Sequence, residues 1–323
     1  MKAIVYERYG PPEVLYLAEV DKPTPGEKEI LVKIYATTVT SGDLRVRSLD
    51  VPVGFGFISH LVYGRSKPRQ PILGTELAGE IESVGKKVTK FTVGDQVFGS
   101  TGARMGCYAE YTCLPEDGAV VLKPSNISCA EAAAISFGAT AALDFFRRGK
   151  LQSGEAVLIN GASGGVGTAA IQLARHFGAV VTAVCSGANA ELARSLGATH
   201  VIDYTKEDFT QSDETYDIIM DTVGTAPFSR SKGSLKKGGR LLLVLAGLPA
   251  LLSIPWISLT STKKVIGGPA FERAEDLRYL ADLVQAGEFR PVIDRRYSFE
   301  QIVEAHRYAD TGRKRGNVII MVC

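Results

Sequence analysis

Apolar and polar positions change rhythm along the chain, and the changes divide it into regions. In the first third, short apolar runs are cut by glycines. EILVKIYATTV (Glu29–Val39) follows the turn-like PTPGE, and ELAGEIESVG (Glu76–Gly85) and DQVFG (Asp95–Gly99) follow in turn. Short runs bounded by turn residues predict strands, and strands with glycine turns predict a small barrel-like β domain. After ISCAEAAAISFGATAALDFFRRG the pattern alternates. EAVLIN precedes a helix whose apolar positions Val166, Ala170, Ile171, Ala174 and Phe177 recur at helical spacing, and Gly178 closes it. AVVTAVC, the helical NAELARSLGA, HVIDY, YDIIMDTVG and GRLLLVLAG come next. Strand–helix alternation of this kind predicts a parallel sheet with crossover helices on both faces.

The tail changes again. AEDLRYLADLVQAGEFRP and FEQIVEAHRYADTG read as amphipathic helices, and GNVIIMV reads as a final strand. The tail is expected to return to the first domain, which makes the middle an inserted domain. Leu241–Trp256, the most apolar stretch, is interrupted by Gly247, Pro249 and Pro255. It reads as a buried strand running into an apolar loop, and it is too broken for a membrane span.

Composition adds limits. The chain has 323 residues, 45% hydrophobic and 22% charged, with a formal net charge of +2. That is an ordinary globular composition, enough for about two domains, and the charge gives no argument for nucleic acid or an anionic membrane as partner. Five cysteines without paired spacing predict no disulfide framework and fit a reducing cytoplasm. His60, His176, His200 and His306 are scattered without ligand spacing and read as surface or helix-face residues.

The glycines between Val157 and Ala179 carry the strongest chemical signal. A strand ending in a glycine-rich turn that opens a helix can hold a pyrophosphate, because the helix presents free N–H groups and bare backbone. The register is Ala162, Ser163, Gly164, Gly165, Val166, Gly167, with alanine in the first fingerprint position. Gly164 lets phosphate touch the backbone, and Gly167 lets the helix pack closely on the sheet. The second strand ends at Cys185, Ser186 and Gly187, and the first acid after it is Glu191, inside the next helix. Without an acid there, and with Ser186 able to donate to a 2′-phosphate, NADP(H) is favoured over NAD(H), which stays possible.

With these stretches in view, the chain resembles the zinc-independent medium-chain dehydrogenases/reductases of the quinone oxidoreductase (zeta-crystallin-like) type. The resemblance rests on GPPEVLYLAEVDKPTPGEKEILVKI, GTELAGEIESVGKKVTKFTVGDQVFG, GASGGVG, LGATHVIDY, DTVG and GEFRPVIDRRYSFEQIVEAHRYADTGRKRGNVII, in family order over nearly the whole chain. It implies an α/β protein with a GroES-like β-barrel domain (1–126), a Rossmann doubly wound domain (127–264) and a return to the first (265–323). It also implies a cofactor between the domains and a homodimer, placed near KKVIGGPAF. By the same resemblance, Thr140 lies near the nicotinamide and Tyr204 near the adenosine phosphate. Val223, Leu245 and Ala246 line the cofactor, and Arg315 and Asn317 reach toward it.

The zinc alcohol dehydrogenases of the superfamily use a cysteine and a histidine where this chain has Thr40 and Thr75, and their four-cysteine lobe has no counterpart here. Hydroxyls are poor zinc ligands, so no metal is expected. Without a Lewis acid, a conjugated carbonyl or quinone is an easier substrate than an alcohol. Thr40 and Ser41 are the candidate donors to the developing enolate, Asp43 orients their loop, and Tyr63 is a candidate proton donor or lid residue that can equally be an apolar anchor. Leu49–Tyr63 and Leu248–Trp256 are expected to build a pocket for a hydrophobic carbonyl compound. Two alternatives remain: a zinc-free alcohol or aldehyde enzyme, and a cofactor-binding structural or sensing protein.

Overall fold

The computed structural model describes residues 1–322, so Cys323 lies outside the described residues. The chain forms two compact units. One comprises 1–51, 56–140 and the stretch from Glu272 onward; the other comprises 52–55 and 141–271.

The first unit begins with β1 (Lys2–Val5), β2 (Tyr16–Glu19), β3 (Glu29–Thr38), α1 (Ser41–Ser48) and α2 (Gly56–Tyr63). It continues through β4 (Glu76–Val84), β5 (Gln96–Ser100), β6 (Tyr111–Pro115), β7 (Val120–Leu122), α3 (Cys129–Ala133) and the first turn of α4 (Ser136–Gly149). The second unit holds β8 (Ala156–Asn160), α5 (Gly165–His176), β9 (Val180–Cys185), α6 (Ala190–Leu196), β10 (His200–Asp203), β11 (Tyr216–Asp221), α7 (Phe228–Ser231), β12 (Leu235–Leu243), α8 (Leu248–Thr260) and β13 (Lys264–Gly267). The chain then re-enters the first unit with α9 (Ala274–Gln285), β14 (Ile293–Ser298), α10 (Ile302–Asp310) and β15 (Asn317–Met321).

In the first unit, a seven-stranded sheet runs β14-β15-β3-β4-β5-β7, with β6 also on β3. The alternation in β3 sends Ile30, Val32 and Ile34 into a core with Leu77, Ile81, Val97 and Leu114. Each such side chain stabilises the fold by about 1.5–3 kcal/mol on burial. The tail closes the sheet, because β15 pairs antiparallel with β3 at Ile319–Thr38, Ile320–Thr37 and Met321–Ala36. Gly79 on β4 is required by close approach: a Cβ there would stand 1.9 Å from the Lys33 carbonyl oxygen.

In the second unit, the six-stranded sheet has the order β10-β9-β8-β11-β12-β13, with every pairing parallel. The order reverses between β8 and β11, the switch point outside whose carboxyl ends open α/β sheets bind ligands. β13 is still paired to β12, and the compact unit runs to Phe271, so the chain re-enters the first unit after Phe271 and not at 265.

Two expectations are corrected. The apolar segment after β12 is not a loop but helix α8. Pro249 lies in its first turn, where no N–H is needed, and Pro255 removes one interior hydrogen bond without ending it. Nor is His306 a surface residue. It is fully buried on α10 and lies edge-on to the Tyr108 ring.

The hydrogen bonds of His306 fix its tautomer. Arg47 Nη1 lies 3.0 Å from Nδ1, and a guanidinium can only donate, so Nδ1 accepts and Nε2 carries the proton. Nε2 then donates to the Tyr108 hydroxyl at 3.1 Å, and that hydroxyl donates to the Thr38 carbonyl at 3.2 Å. Arg47 also binds Asp310 Oδ2 at 2.8 Å and the Gly10 carbonyl at 3.1 Å. This chain ties α10 and α1 to the end of β3.

Burial, reinforced by Arg47, pushes the His306 pKa well below its ordinary 6.5. The folded protein therefore keeps it neutral while the unfolded chain takes up a proton below pH 6.5, so its contribution is complete above that pH and is lost as pH falls. Thermal unfolding from pH 8 to 5 should show the wild type losing up to about 1.4 kcal/mol per pH unit from this group below 6.5. His306→Gln should be less stable at pH 8 and shallower in the acid range; equal slopes would contradict this account.

Candidate functional site

Two sites emerge, one on each unit. On the second unit, β8 ends at Asn160 and the chain turns through Gly161, whose φ of +81° favours glycine. Helix α5 starts at Gly165 with Gly164 as its N-cap, and a glycine cap has no side chain to accept from the first amides. The N–H groups of Gly165, Val166 and Gly167 precede any intrahelical acceptor, so they are free to bind an anion at the positive end of the helix.

The glycines have separate tasks. A Cβ on Gly167 would stand 2.2 Å from Gly161 O and 2.7 Å from Ala162 Cα, so this glycine allows helix and strand to pack closely. At Gly164 the nearest atom to an added Cβ is Gly161 O, 3.7 Å away, so the fold leaves open space there. Ala162 is fully buried, whereas Ser163 through Val166 are half-buried. The bare cradle fits a dinucleotide pyrophosphate.

Neighbouring strand ends are locked to this turn. Asp221, fully buried at the end of β11, accepts from Asn160 Nδ2 at 3.0 Å and from the amides of Val223, Gly224 and Ala226 at 3.2, 3.0 and 2.8 Å. Thr222 Oγ1 donates to Asn160 O at 2.8 Å. Val223 is thereby presented on a fixed, exposed loop. Leu245 and Ala246 follow β12 and are half-buried. The DTVG motif marks this loop in the sequence, but the Asn160–Asp221 pair that holds it needed the strand register to be seen.

Ser186, after β9, is half-buried, and Tyr204, after the neighbouring β10, is 64% exposed. The expectation of an acid-free end is corrected here. Asp203, from β10, lies so close that a Cβ on Gly187 would stand 2.5 Å from its Oδ2. Its carboxyl is held below the ordinary range by hydrogen bonds from Thr205, then from the Gly187 amide, with Lys206 3.9 Å away. Gly187 is thus explained by Asp203, which leaves no room for a side chain.

On the first unit, Thr40 caps α1, and Thr40 and Asp43 form a capping box. The Thr40 hydroxyl donates to Asp43 Oδ2 at 2.6 Å and accepts from the Asp43 amide at 3.1 Å. Asp43 is fully buried and accepts further from Thr40 N at 2.8 Å and Gly74 N at 3.1 Å. Burial raises its pKa, while these bonds and the Lys314 charge oppose the rise. Asp43 therefore clamps the start of α1 to the Gly74–Glu76 segment, and the O–H of Thr40 is spent on the clamp. Ser41, half-buried at the first helical position, has no hydrogen-bond partner for its hydroxyl among the described residues.

The remaining named residues have the following surroundings. Tyr63 packs against the core cluster containing Tyr6 and Leu73, and its carbonyl accepts from Tyr9 at 2.8 Å, which fits an anchor. Thr140 is fully buried with its hydroxyl bonded to the Ser136 carbonyl. Asn317 spends both amide protons, on Ala134 O at 3.2 Å and Val292 O at 3.1 Å. Arg315 is exposed, and its amide donates to Asp294.

Sequence reasoning missed Glu76 and Lys314. Glu76 is fully buried, with its carboxyl oxygens bonded to the Thr38 hydroxyl and the Phe137 amide. Burial pushes its pKa up to about 8, those hydrogen bonds oppose the rise, and Glu272 and Asp43 add to it. Glu272, in turn, is raised by burial. An acid inside GTELAGE gives no sign of this environment.

Zinc does not fit this corner. The two superfamily ligand positions hold hydroxyls, that of Thr40 bonded to Asp43 and that of Thr75 buried without a partner. The nearby Cys107 thiol, fully buried beside Thr101, is pushed up by burial and stays protonated, whereas zinc takes a thiolate. Among the described residues, no three His, Cys, Asp or Glu side chains gather where they could hold a metal.

Comparisons with known proteins agree with this architecture. Residues 26–125 match the alcohol dehydrogenase GroES-like domain, and residues 196–320 match the zinc-binding dehydrogenase domain. The chain is 33% identical to 2-methylene-furan-3-one reductase of Solanum lycopersicum over 332 residues, covering 99% of this chain and 79% of that protein. It is 29% identical to the chloroplastic NADPH-dependent alkenal/one oxidoreductase of Arabidopsis thaliana, with the same coverage of 99% and 79%. The solved quinone oxidoreductase of Coxiella burnetii superposes with a TM-score of 0.90 at 30% identity, covering 100% of this chain and 99% of that one. The chain belongs to the medium-chain dehydrogenase/reductase family, in its quinone oxidoreductase branch, and is an oxidoreductase with a GroES-like and a Rossmann-like domain.

The two glycines separate folding from binding. Gly164→Ala should melt like wild type yet bind NADPH about tenfold more weakly, about 1.4 kcal/mol, by fluorescence titration. Gly167→Ala should lose about 1–3 kcal/mol of stability from the backbone clash. Unchanged affinity in the first variant would show that the cradle holds no phosphate.

Proposed function

We propose that this protein reduces quinones or α,β-unsaturated carbonyls with NADPH, without zinc. The carrying observation is the pairing of an uncapped, glycine-lined α5 start with hydroxyls at both superfamily zinc positions. The activities for which the tomato, Arabidopsis and Coxiella relatives are named support the same reading. Gly165, Val166 and Gly167 hold the pyrophosphate through backbone amides, Gly164 leaves bare backbone for its approach, and Ser163 and Ser186 add hydroxyls. Tyr204 and Val223 offer exposed surface to the adenosine half, and Leu245 and Ala246 line the remainder.

When bound, the reduced nicotinamide supplies hydride. The chain's own residues position the substrate and stabilise charge. Ser41 donates its free hydroxyl to the carbonyl oxygen where negative charge develops, and Asp43 keeps that corner rigid through Thr40 and Gly74. Apolar side chains left uncovered on α2 (Phe57, 82% exposed; Leu61) favour a hydrophobic substrate. The Asp203 carboxylate beside Ser186 leaves NAD(H) possible as a second cofactor, since an acid at this place can accept from a ribose hydroxyl.

Among the described residues, no helix is long and apolar enough to cross a membrane. The free thiols of Cys107 and Cys185, both buried, support a reducing compartment such as the cytoplasm. The open edge of β13 supports a homodimer formed by pairing that strand with its copy. Light scattering should give twice the 34.6 kDa chain mass; a monomer at micromolar concentration would reject the dimer.

NADPH oxidation should be followed with a quinone, a 2-alkenal and a saturated aldehyde, each with and without a strong chelator. Turnover of the first two, unaffected by chelation, is expected. Turnover of the saturated aldehyde alone, activity restored by zinc, or tight NADPH binding without turnover would each overturn this function.

A further inference from the structure

Saturating a conjugated carbonyl needs a proton as well as hydride, and most acids on the first unit are already committed. The Thr40 hydroxyl proton goes to Asp43, and that of Tyr108 goes to the Thr38 carbonyl. Glu76 is fully buried with both carboxyl oxygens engaged. Ser41 is free, but a hydroxyl holds its proton too tightly to release it at neutral pH.

Lys314 differs from all of these. It lies in the short segment between α10 and β15, where Gly312 and Gly316 adopt φ of +68° and +76°. A Cβ on Gly316 would stand 2.4 Å from Val292 O, so the path of this segment is fixed. Lys314 Nζ donates to Val39 O at 3.3 Å, against the residue that precedes Thr40 and Ser41. Among the described residues that is its one acceptor, and no carboxylate pairs with it within salt-bridge distance. An ammonium has three N–H bonds, so two remain for other partners. The residue as a whole is half-buried, while its ammonium is largely desolvated.

We propose that Lys314 is the proton donor of this reduction, an assignment that rests on the function proposed above. The substrate's β-carbon gains a C–H bond with the electron pair of the hydride, and the nicotinamide is oxidised. The C=C π pair moves toward the carbonyl as an enolate. An N–H bond of Lys314 then breaks, the α-carbon gains that proton, and the neutral amine is reprotonated by water. Desolvation lowers the Lys314 pKa below the ordinary lysine value, while the charges of Glu76, Asp43 and Asp294, the groups that face it, oppose the fall. A lysine so shifted is a better acid near neutrality.

The test compares wild type, Lys314→Ala and Lys314→Arg with a 2-alkenal and NADPH. Lys314→Ala should lose about 100-fold in kcat, the scale of general-acid catalysis, with NADPH affinity within about twofold of wild type. The wild-type rate should fall at alkaline pH as the donor deprotonates, Lys314→Ala should lack that fall, and added methylammonium should restore its rate in proportion to concentration. Should Lys314→Ala fail to fold, Lys314→Arg keeps the charge and the bond to Val39; it should melt normally, bind NADPH and still be slow, because guanidinium does not release its proton. Wild-type rates in either variant, or a slow Lys314→Ala without amine rescue and with the alkaline fall intact, would overturn the assignment and leave the reductase function standing. A wild type that reduces no alkenal or quinone would overturn both.

Discussion

The start of α5 presents three backbone amides with nothing in the protein to accept from them. Leaving such donors unanswered is costly, and most helices cap them with a serine, threonine or acid. Here glycine occupies the cap, and the turn before it is drawn so tight that Gly167 can carry no side chain. The second unit is arranged around this gap. Asp221 and Asn160 brace the two strand ends at the switch point, so the loop bearing Val223 keeps a fixed position. An anion such as a dinucleotide pyrophosphate would answer the amides, and this makes the chain legible as a dinucleotide-dependent oxidoreductase.

The first unit solves a different problem, that of keeping buried charge and hydrogen-bond direction consistent. Asp43 accepts from Thr40 and Gly74, and a guanidinium fixes the proton on His306 so that donation runs one way to Thr38. Thr38 in turn is bonded to Glu76. The same β3–α1 corner thus carries a rigid capping box, a buried acid and a desolvated ammonium. Its side chains suit the transfer of a proton and the stabilisation of an oxyanion, and they do not suit zinc.

Much of the second unit could be read from the sequence because its signals are local. Alternation predicted β8, α5, β9, α6, β10, β11 and β12, and the glycine register located the helix start. Helix α8 was hidden because Pro249 and Pro255 read as breakers, although one sits in the first turn, where proline is tolerated, and the other costs a single hydrogen bond. Asp203 was hidden because its proximity to Gly187 arises from β10 lying beside β9, which spacing along the chain does not reveal. His306, Glu76 and Lys314 were hidden for the same reason: their partners lie tens to hundreds of residues away. Arg315 and Asn317 were named and Lys314 between them was not, since only the folded corner distinguishes an ammonium against Val39 from its exposed neighbours.

The most direct test of the account is a crystal structure of the protein grown with NADPH. The account predicts pyrophosphate oxygens within hydrogen-bond distance of the Gly165 and Val166 amides and no metal ion beside Thr40 and Thr75. A dinucleotide bound elsewhere, or a coordinated cation between those two threonines, would contradict it.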